Sequence, residues 1–258
     1  MLHELCAMTG AWIIGFCQVT GRMMMLFLDT LSKVRTVSIK ETLRQMALLG
    51  ADSLPIVLLT MLCTGMVFSV QTAKEFVALG ASGTVGGIVA IAMGRELVPV
   101  LTGVVVAGRI GAAIAAELGT MKVTEQIDAL RVMATSPVRY LVAPRFLAVS
   151  LMMPVLIVFG NFIGNAGGYF VAHYYADIGS MTYLNSIRQL CEPFDLFGGM
   201  IKGVAFGAII SIVGCFKGLN AKQGAEGVGL ATTASVVLSI ILIFISDYFL
   251  TVLLYVDK

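Results

Sequence analysis

Charge is what this chain has least of. Charged residues make up 12% of its 258 residues, against about 25% in a soluble domain, so the chain is solvated mainly by lipid. The net charge of +2 is too small to argue for nucleic acid. Histidine is limited to His3 and His173, far apart and without a carboxylate or cysteine at ligand spacing, which speaks against a metal site. The second of them is expected at the outer end of a span. The five cysteines, Cys6, Cys17, Cys63, Cys191 and Cys215, form no CxxC or CxxH pair. They read as small core hydrophobes. No GxxxxGK(S/T) is present, so the chain does not itself cradle a nucleotide; the glycines of Gly224–Gly229 lack the lysine and are expected in a loop. No GxSxG appears, no serine stands beside a paired base, and no internal repeat is detectable. No basic segment precedes a cleavable apolar stretch, so a signal peptide is not expected.

Apolar sequence is what the chain has in excess, with 58% hydrophobic residues and a mean hydropathy of +0.95. At about 20 residues per span, five or six crossings fit. The first 45 residues are a separate region: Leu5–Val19 is interrupted by Gly10, Gly15 and Gln18, and basic residues from Arg22 to Arg44 follow. That pattern predicts a helix lying in the membrane interface. Five apolar runs fill residues 46–258: Leu54–Val70, Val85–Ala116, Phe146–Ala172, Leu196–Phe216 and Val228–Val256. The expected fold is an all-α integral membrane protein, with an interfacial elbow helix, five transmembrane helices and a cytoplasmic helix near 119–134.

Loop charge orients it. With the segment before Leu54 inside, the cytoplasmic loops hold Arg22, Lys33, Arg35, Lys40, Arg44, Lys122, Arg131, Arg139, Arg145, Lys217 and Lys222, eleven of the seventeen Lys and Arg. The other side holds Lys74, Arg188 and Lys258, with Lys202 near its edge. Positive charge stays inside, which puts the N-terminus in the cytoplasm and the C-terminus outside. Small residues recur every fourth position at Gly103–Gly119, Gly160–Gly168 and Gly199–Gly207. Such stripes let helices approach closely, within the bundle or, for at least one of them, across a dimer.

Ionisable groups inside a span are costly and mark a pathway or a binding site by default. The second run carries Arg95, Glu96 and Pro99. Adjacent helical residues diverge by about 100°, so Arg95 and Glu96 face different partners. Pro99 has no N–H for the carbonyl of Arg95 and weakens the helix there. Counted from Thr84, Glu96 lies about 18 Å along the helix, near mid-membrane. Two readings stay open: a structural ion pair with another helix, for example through Asp247, or a polar contact in a lipid-accessible cavity. Arg109 and Glu117 read as charges near the cytoplasmic end. In Thr124–Ala134, Thr124 is placed to cap a helix, with Ile127, Leu130 and Ala134 on one side and Glu125, Gln126, Asp128 and Arg131 on the other. That stretch is either a linker or a helix seating in a cytoplasmic motor.

The run RELVPVLTGVVVAGRIGAAIAAELGTMKVTEQIDAL, continuing through SPVRYLVAPR at Ser136–Arg145, resembles the signature of the MlaE/YrbE family, permease subunits of ABC-type lipid transporters that work with MCE proteins. The resemblance covers essentially the whole chain. It implies a multi-pass protein of the bacterial inner membrane that moves phospholipid between that membrane and a periplasmic MCE-domain (MlaD-like) carrier, supporting outer-membrane lipid asymmetry. It implies a homodimer, a cytoplasmic ABC ATPase (MlaF-like) and a STAS-like accessory subunit (MlaB-like). No cofactor is expected in this chain, since ATP and magnesium belong to the ATPase, and the chain is not itself an enzyme. The family's Arg-Glu pair at the lipid cavity matches Arg95 and Glu96, joined by Pro99. Coupling to the ATPase falls on Gly119, Glu125, Gln126, Asp128, Leu130 and Arg131. Bacterial phospholipid systems, actinobacterial importers of sterols or other lipids, and a chloroplast-envelope relative share this signature. A self-contained secondary transporter is the alternative from another class.

Overall fold

In lipid no water pairs with the backbone, so apolar runs of this length satisfy their N–H and C=O groups internally as helices. The computed structural model describes the backbone of residues 2–256 and the side chains from Ile14 onward, Phe16 excepted. His3, Cys6 and Lys258 therefore lie outside the described side chains. Eleven α-helices follow in order: α1 Leu2–Lys33, α2 Ile39–Gln45, α3 Leu54–Ala78, α4 Val85–Ala92, α5 Val98–Val106, α6 Ala112–Val123, α7 Gln126–Val132, α8 Ala143–Tyr174, α9 Ser180–Leu190, α10 Pro193–Leu219 and α11 Gly224–Tyr255. Five helical segments among the described residues are long and apolar enough to cross a membrane: Ile39–Ala78, Ser82–Val123, Val138–Tyr174, Pro193–Leu219 and Gly224–Tyr255. Each covers one of the five runs expected from sequence, the last of them to within one residue. The chain is an all-α membrane protein.

Helix α1 stands apart from those five. Its Phe27 ring meets Phe146 of α8 edge-on, with centroids 6.0 Å apart. The chain then turns at Val37 and Ser38, both extended. From there α2 continues through a π turn at Met46–Gly50 into α3, so helix runs unbroken through residue 45. Glycines Gly224–Gly229 are not a loop: Gly224, at φ +89, opens α11 and the others form its first turns.

The small-residue stripes are consumed inside the bundle. Gly65 of α3 and Gly164 of α8 meet backbone to backbone, and Ser69 Oγ donates to the Gly168 carbonyl at 2.8 Å. Gly199 abuts the Gly94 carbonyl and Pro99, and Gly207 abuts Val149 and Ser150. Gly103, Gly111 and Gly119 face α10, α11 and the turn between them. None of the three stripes is left as an outward face, so the expectation that one serves a dimer does not hold for them. Without a hydrophobic drive between helices in lipid, these approaches supply packing and polar contacts instead. The cysteines divide. Cys215 is buried, Cys191 half-buried, and Cys17 and Cys63 exposed; all four are free. Among these four, only Cys215 behaves as the expected core residue, because Cys17, Cys63 and Cys191 fall on outward helix faces or a helix end.

The second span is broken twice by π turns, at Met93–Leu97 and Ala107–Gly111. Each contains an arginine, Arg95 and Arg109. The short helix α9, which no apolar run predicts, lies against α4. Gly86 and Gly87 let Tyr183, Ser186 and Leu190 of α9 approach, and Ser186 Oγ accepts from the Gly87 N–H at 2.8 Å.

Candidate functional site

Five charged side chains from three spans meet at one level. Lys202 of α10 is fully buried, and its Nζ lies 2.8 Å from Glu96 Oε2 and 2.9 Å from Asp247 Oδ1. It also donates to Thr251 Oγ1 at 2.8 Å and to the Arg95 carbonyl at 3.0 Å. The last contact has a local cause. Pro99 cannot donate to the carbonyl four residues before it, and the lysine ammonium takes the place of that missing N–H. The sequence identified the vacant carbonyl but not its occupant.

Arg95 turns the other way. Its Nε lies 2.6 Å from Asp195 Oδ1, and its guanidinium stacks over Tyr255 at 4.8 Å, a cation–π contact. Asp195 is itself held: its second oxygen accepts the Glu192 N–H at 2.9 Å as half of a capping box that starts α10. Thr251 Oγ1 bridges to Glu96 Oε1 at 3.0 Å. The divergence expected of Arg95 and Glu96 is thus met by two separate partners on α10. Asp247 joins the cluster through Lys202.

Exposure separates the roles. Lys202 is 0% exposed, whereas Arg95 is 31% and Glu96 39% exposed. A buried ammonium holds the frame, and two charged ends reach open space beside it. Two cations face three carboxylates, Glu96, Asp195 and Asp247. Lys202 was placed near the edge of its span from sequence; the structure buries it, because Gly199 and Gly203 draw α10 against the second span and α8.

The cluster spans the first three turns of α10 and the last three of α11. Beyond it, α4 is covered by α9. The rise from Arg95 to Glu117 is about 33 Å along the span, close to the roughly 30 Å of a hydrocarbon core. Glu117 there pairs with buried Arg145 at 2.7 Å, while Arg109 is exposed between the two levels.

At that second level, Gly119 and the stretch after it do not form one helix. Helix α6 ends at Val123, and Gly119 is buried against Val228 and Ala221. Thr124 does not cap the next helix: its hydroxyl donates back to Thr120 at 2.9 Å, and Glu125, at φ 58, forms the left-handed corner before α7. Ile127 is buried and Leu130 packs on the core. Ala134 is exposed at φ 55 and lies off that face, because the helix has already ended at Val132. Glu125, Gln126 and Arg131 are exposed. Asp128 is bridged by Lys122 at 2.9 Å and Arg131 at 3.1 Å; the Lys122 hydrogen bond, with the charges of both cations, holds its carboxyl below the usual range.

No group of three or more potential metal ligands occurs among the described residues. His173 sits in the last turn of α8, its Nδ1 3.2 Å from the Ile178 carbonyl and its ring stacked on Tyr169.

Five apolar spans around a partly exposed ionic cluster define a multi-pass membrane protein with a polar site. The chain matches the family Permease MlaE over residues 42–253. It is 46% identical over 216 residues to a probable ABC transporter permease protein of Synechocystis sp., covering 84% of this chain and 82% of that one. It is 41% identical over 257 residues to a probable ABC transporter permease protein of Rickettsia prowazekii, covering 99% of each. It is also 42% identical over 212 residues to the Arabidopsis thaliana protein TRIGALACTOSYLDIACYLGLYCEROL 1, chloroplastic, covering 82% of this chain and 61% of that protein. The chain belongs to the MlaE permease family of ABC transporter permeases.

Proposed function

We propose that this chain is the membrane-embedded half of an ABC lipid transporter, carrying phospholipid between the bacterial inner membrane and a periplasmic MCE-domain carrier. The observation that carries this is the Arg95–Glu96–Lys202 cluster, a charged site open on one side within an apolar bundle. Its frame is over-determined by Asp195, Asp247 and Thr251. Arg95 bonds Asp195 through Nε and offers its terminal guanidinium N–H groups to a lipid phosphate, while Glu96 biases that phosphate's release. With the N-terminus cytoplasmic, as the Lys and Arg distribution argues, the cluster lies toward the periplasmic boundary, where a carrier docks.

The relatives' names as ABC transporter permeases favour an externally powered subunit over a self-contained secondary transporter. On this reading Gln126–Val132, with Glu125 before it, faces the ATPase. Two protomers enclose the lipid between them, since a molecule with two acyl chains needs more room than the cavities within one protomer. A STAS-like subunit joins from the cytoplasmic side, and sterol or other lipid cargo is the alternative substrate class.

The test is transport in reconstituted complex. Arg95→Ala and Glu96→Ala should each lower lipid movement about tenfold or more, equivalent to about 1.4 kcal/mol, with subunit assembly and ATP hydrolysis retained. Wild-type lipid movement in both variants would make the cluster purely structural.

A further inference from the structure

A cavity of about 490 Å³ lies between α4, α8, α9 and α10, beside the ionic cluster, of which only Asp195 reaches it. Its wall is apolar at Ala90, Val158, Phe162, Ile187 and Leu196. Asp195 reaches its edge with both carboxylate oxygens already engaged, by Arg95 and by the Glu192 N–H. Three polar side chains on this wall have a buried oxygen without a hydrogen bond: Asn161 Oδ1, Asn165 Oδ1 and Tyr183 Oη. Asn161 is 6% and Tyr183 1% exposed. Each such orphan carries an uncompensated desolvation penalty, and three on one cavity wall form a pattern.

The asparagine orientations are not arbitrary. Asn161 Nδ2 donates to the Ile157 carbonyl at 3.2 Å, and Asn165 Nδ2 donates to the Asn161 carbonyl at 2.9 Å. Turning either amide over would set oxygen against oxygen. Both unsatisfied atoms are therefore acceptors, one helical turn apart on α8, while the Tyr183 hydroxyl both donates and accepts. The neighbouring Tyr169 hydroxyl is already spent on Ser180 at 2.9 Å.

We propose that this cavity binds the uncharged, hydroxyl-bearing end of a membrane amphiphile, a glycerol-type diol with an attached acyl chain. A phosphate or carboxylate would oppose acceptor to acceptor at both asparagines. An ammonium would enter an apolar site whose one carboxylate is already paired. Two adjacent hydroxyls supply donors to Asn161 and Asn165 and an acceptor to Tyr183. The diol is lipid-borne because Phe162 and Leu184, both lining the cavity, are exposed apolar side chains on the outer flank of α8 and α9, where an acyl chain lies. The proposal rests on the lipid-permease reading only for the source of the ligand.

Cys191 lines the same cavity and reports its occupancy. Burial, then the Asp195 charge, holds its thiol above the ordinary range, so alkylation by N-ethylmaleimide is followed at alkaline pH. The full chain in nanodiscs, with Cys6, Cys17, Cys63 and Cys215 replaced by serine, is titrated with 1-monooleoylglycerol, with the same amphiphile methylated at both hydroxyls, and with free glycerol. The diol lipid should slow Cys191 alkylation at least fivefold, and the other two should leave it unchanged. Tyr183→Phe, which removes a single oxygen, and the double variant Asn161→Leu/Asn165→Leu should each weaken that protection at least fivefold. Equal protection by the methylated amphiphile would reduce the cavity to an apolar slot. Protection by glycerol at equal concentration would make it a free-polyol site, and no protection by any probe would leave water as its occupant; each result overturns the proposal. No transport is measured, so failure here is distinct from failure of Arg95→Ala and Glu96→Ala to affect lipid movement.

Discussion

Lys202 shows how one buried charge organises a site in a bundle of apolar helices. An ammonium at 0% exposure is tolerable only because two carboxylates, a hydroxyl and a backbone carbonyl surround it. Removing it leaves Glu96 and Asp247 facing each other without a counter-charge. We expect Lys202→Met to destabilise the chain by about 3–5 kcal/mol, the usual cost of breaking a buried pair from one side. Thermal unfolding in detergent measures this. The double variant Lys202→Met/Asp247→Asn should recover part of the loss, and a single variant as stable as wild type would show that Lys202 holds nothing in place. Arg95 differs in kind: its partner Asp195 is fixed by the α10 capping box, and its own exposed end is free for a ligand.

At the scale of the element, α7 is a seven-residue helix, too short to stand by propensity alone. Buried Ile127 anchors it to the bundle, and the Lys122–Asp128–Arg131 bridges brace it. Reversing exposed Glu125 to lysine should loosen ATPase binding severalfold while leaving the spans folded, since an exposed charge reversal repels a complementary partner but costs the fold little. Co-purification of the two subunits checks it; unchanged ATPase retention and transport would remove α7 from the coupling surface. The pH dependence has a definite sign. A carboxyl held below its ordinary value of 3.8 contributes fully above that value, and its contribution is lost only as pH falls through the lowered one. Asp128 therefore adds no pH dependence to ATPase binding between about pH 5 and 7.

For the whole molecule, the spans divide by how much of each is covered. The apolar windows of the first and fifth are 28% and 22% buried, and those of the other three 50–56%. The second, third and fourth spans thus form the packed centre, and the first and fifth present apolar faces outward. The topology proposed above puts α7 in the cytoplasm and the C-terminal end of α11 outside. A cysteine introduced at exposed Val256 should react with an impermeant maleimide added from the periplasmic side of spheroplasts, and one at exposed Gln126 should not. The reverse pattern would invert the orientation and, with it, the assignment of α7 to the ATPase.

Length, composition and apolar runs were enough to determine five spans, because lipid leaves the backbone no alternative to helix. They also exposed Arg95, Glu96 and Pro99, since charges and proline inside an apolar run are conspicuous in one dimension. Helix α9 is not evident in the sequence because it is short and too polar to read as a span, and its burial depends on two glycines of α4, almost a hundred residues earlier. Lys202 and Asp195 escaped for a related reason: near the start of a run they look like ordinary helix-end charges. Tertiary packing alone decided that the glycines of α10 bring them against the second span, where one fills the carbonyl left by Pro99 and the other fixes Arg95. The same packing turned the glycine stripes inward and the three orphaned oxygens of Asn161, Asn165 and Tyr183 toward one cavity, because which helix meets which face is a property of the assembled bundle and not of any single run.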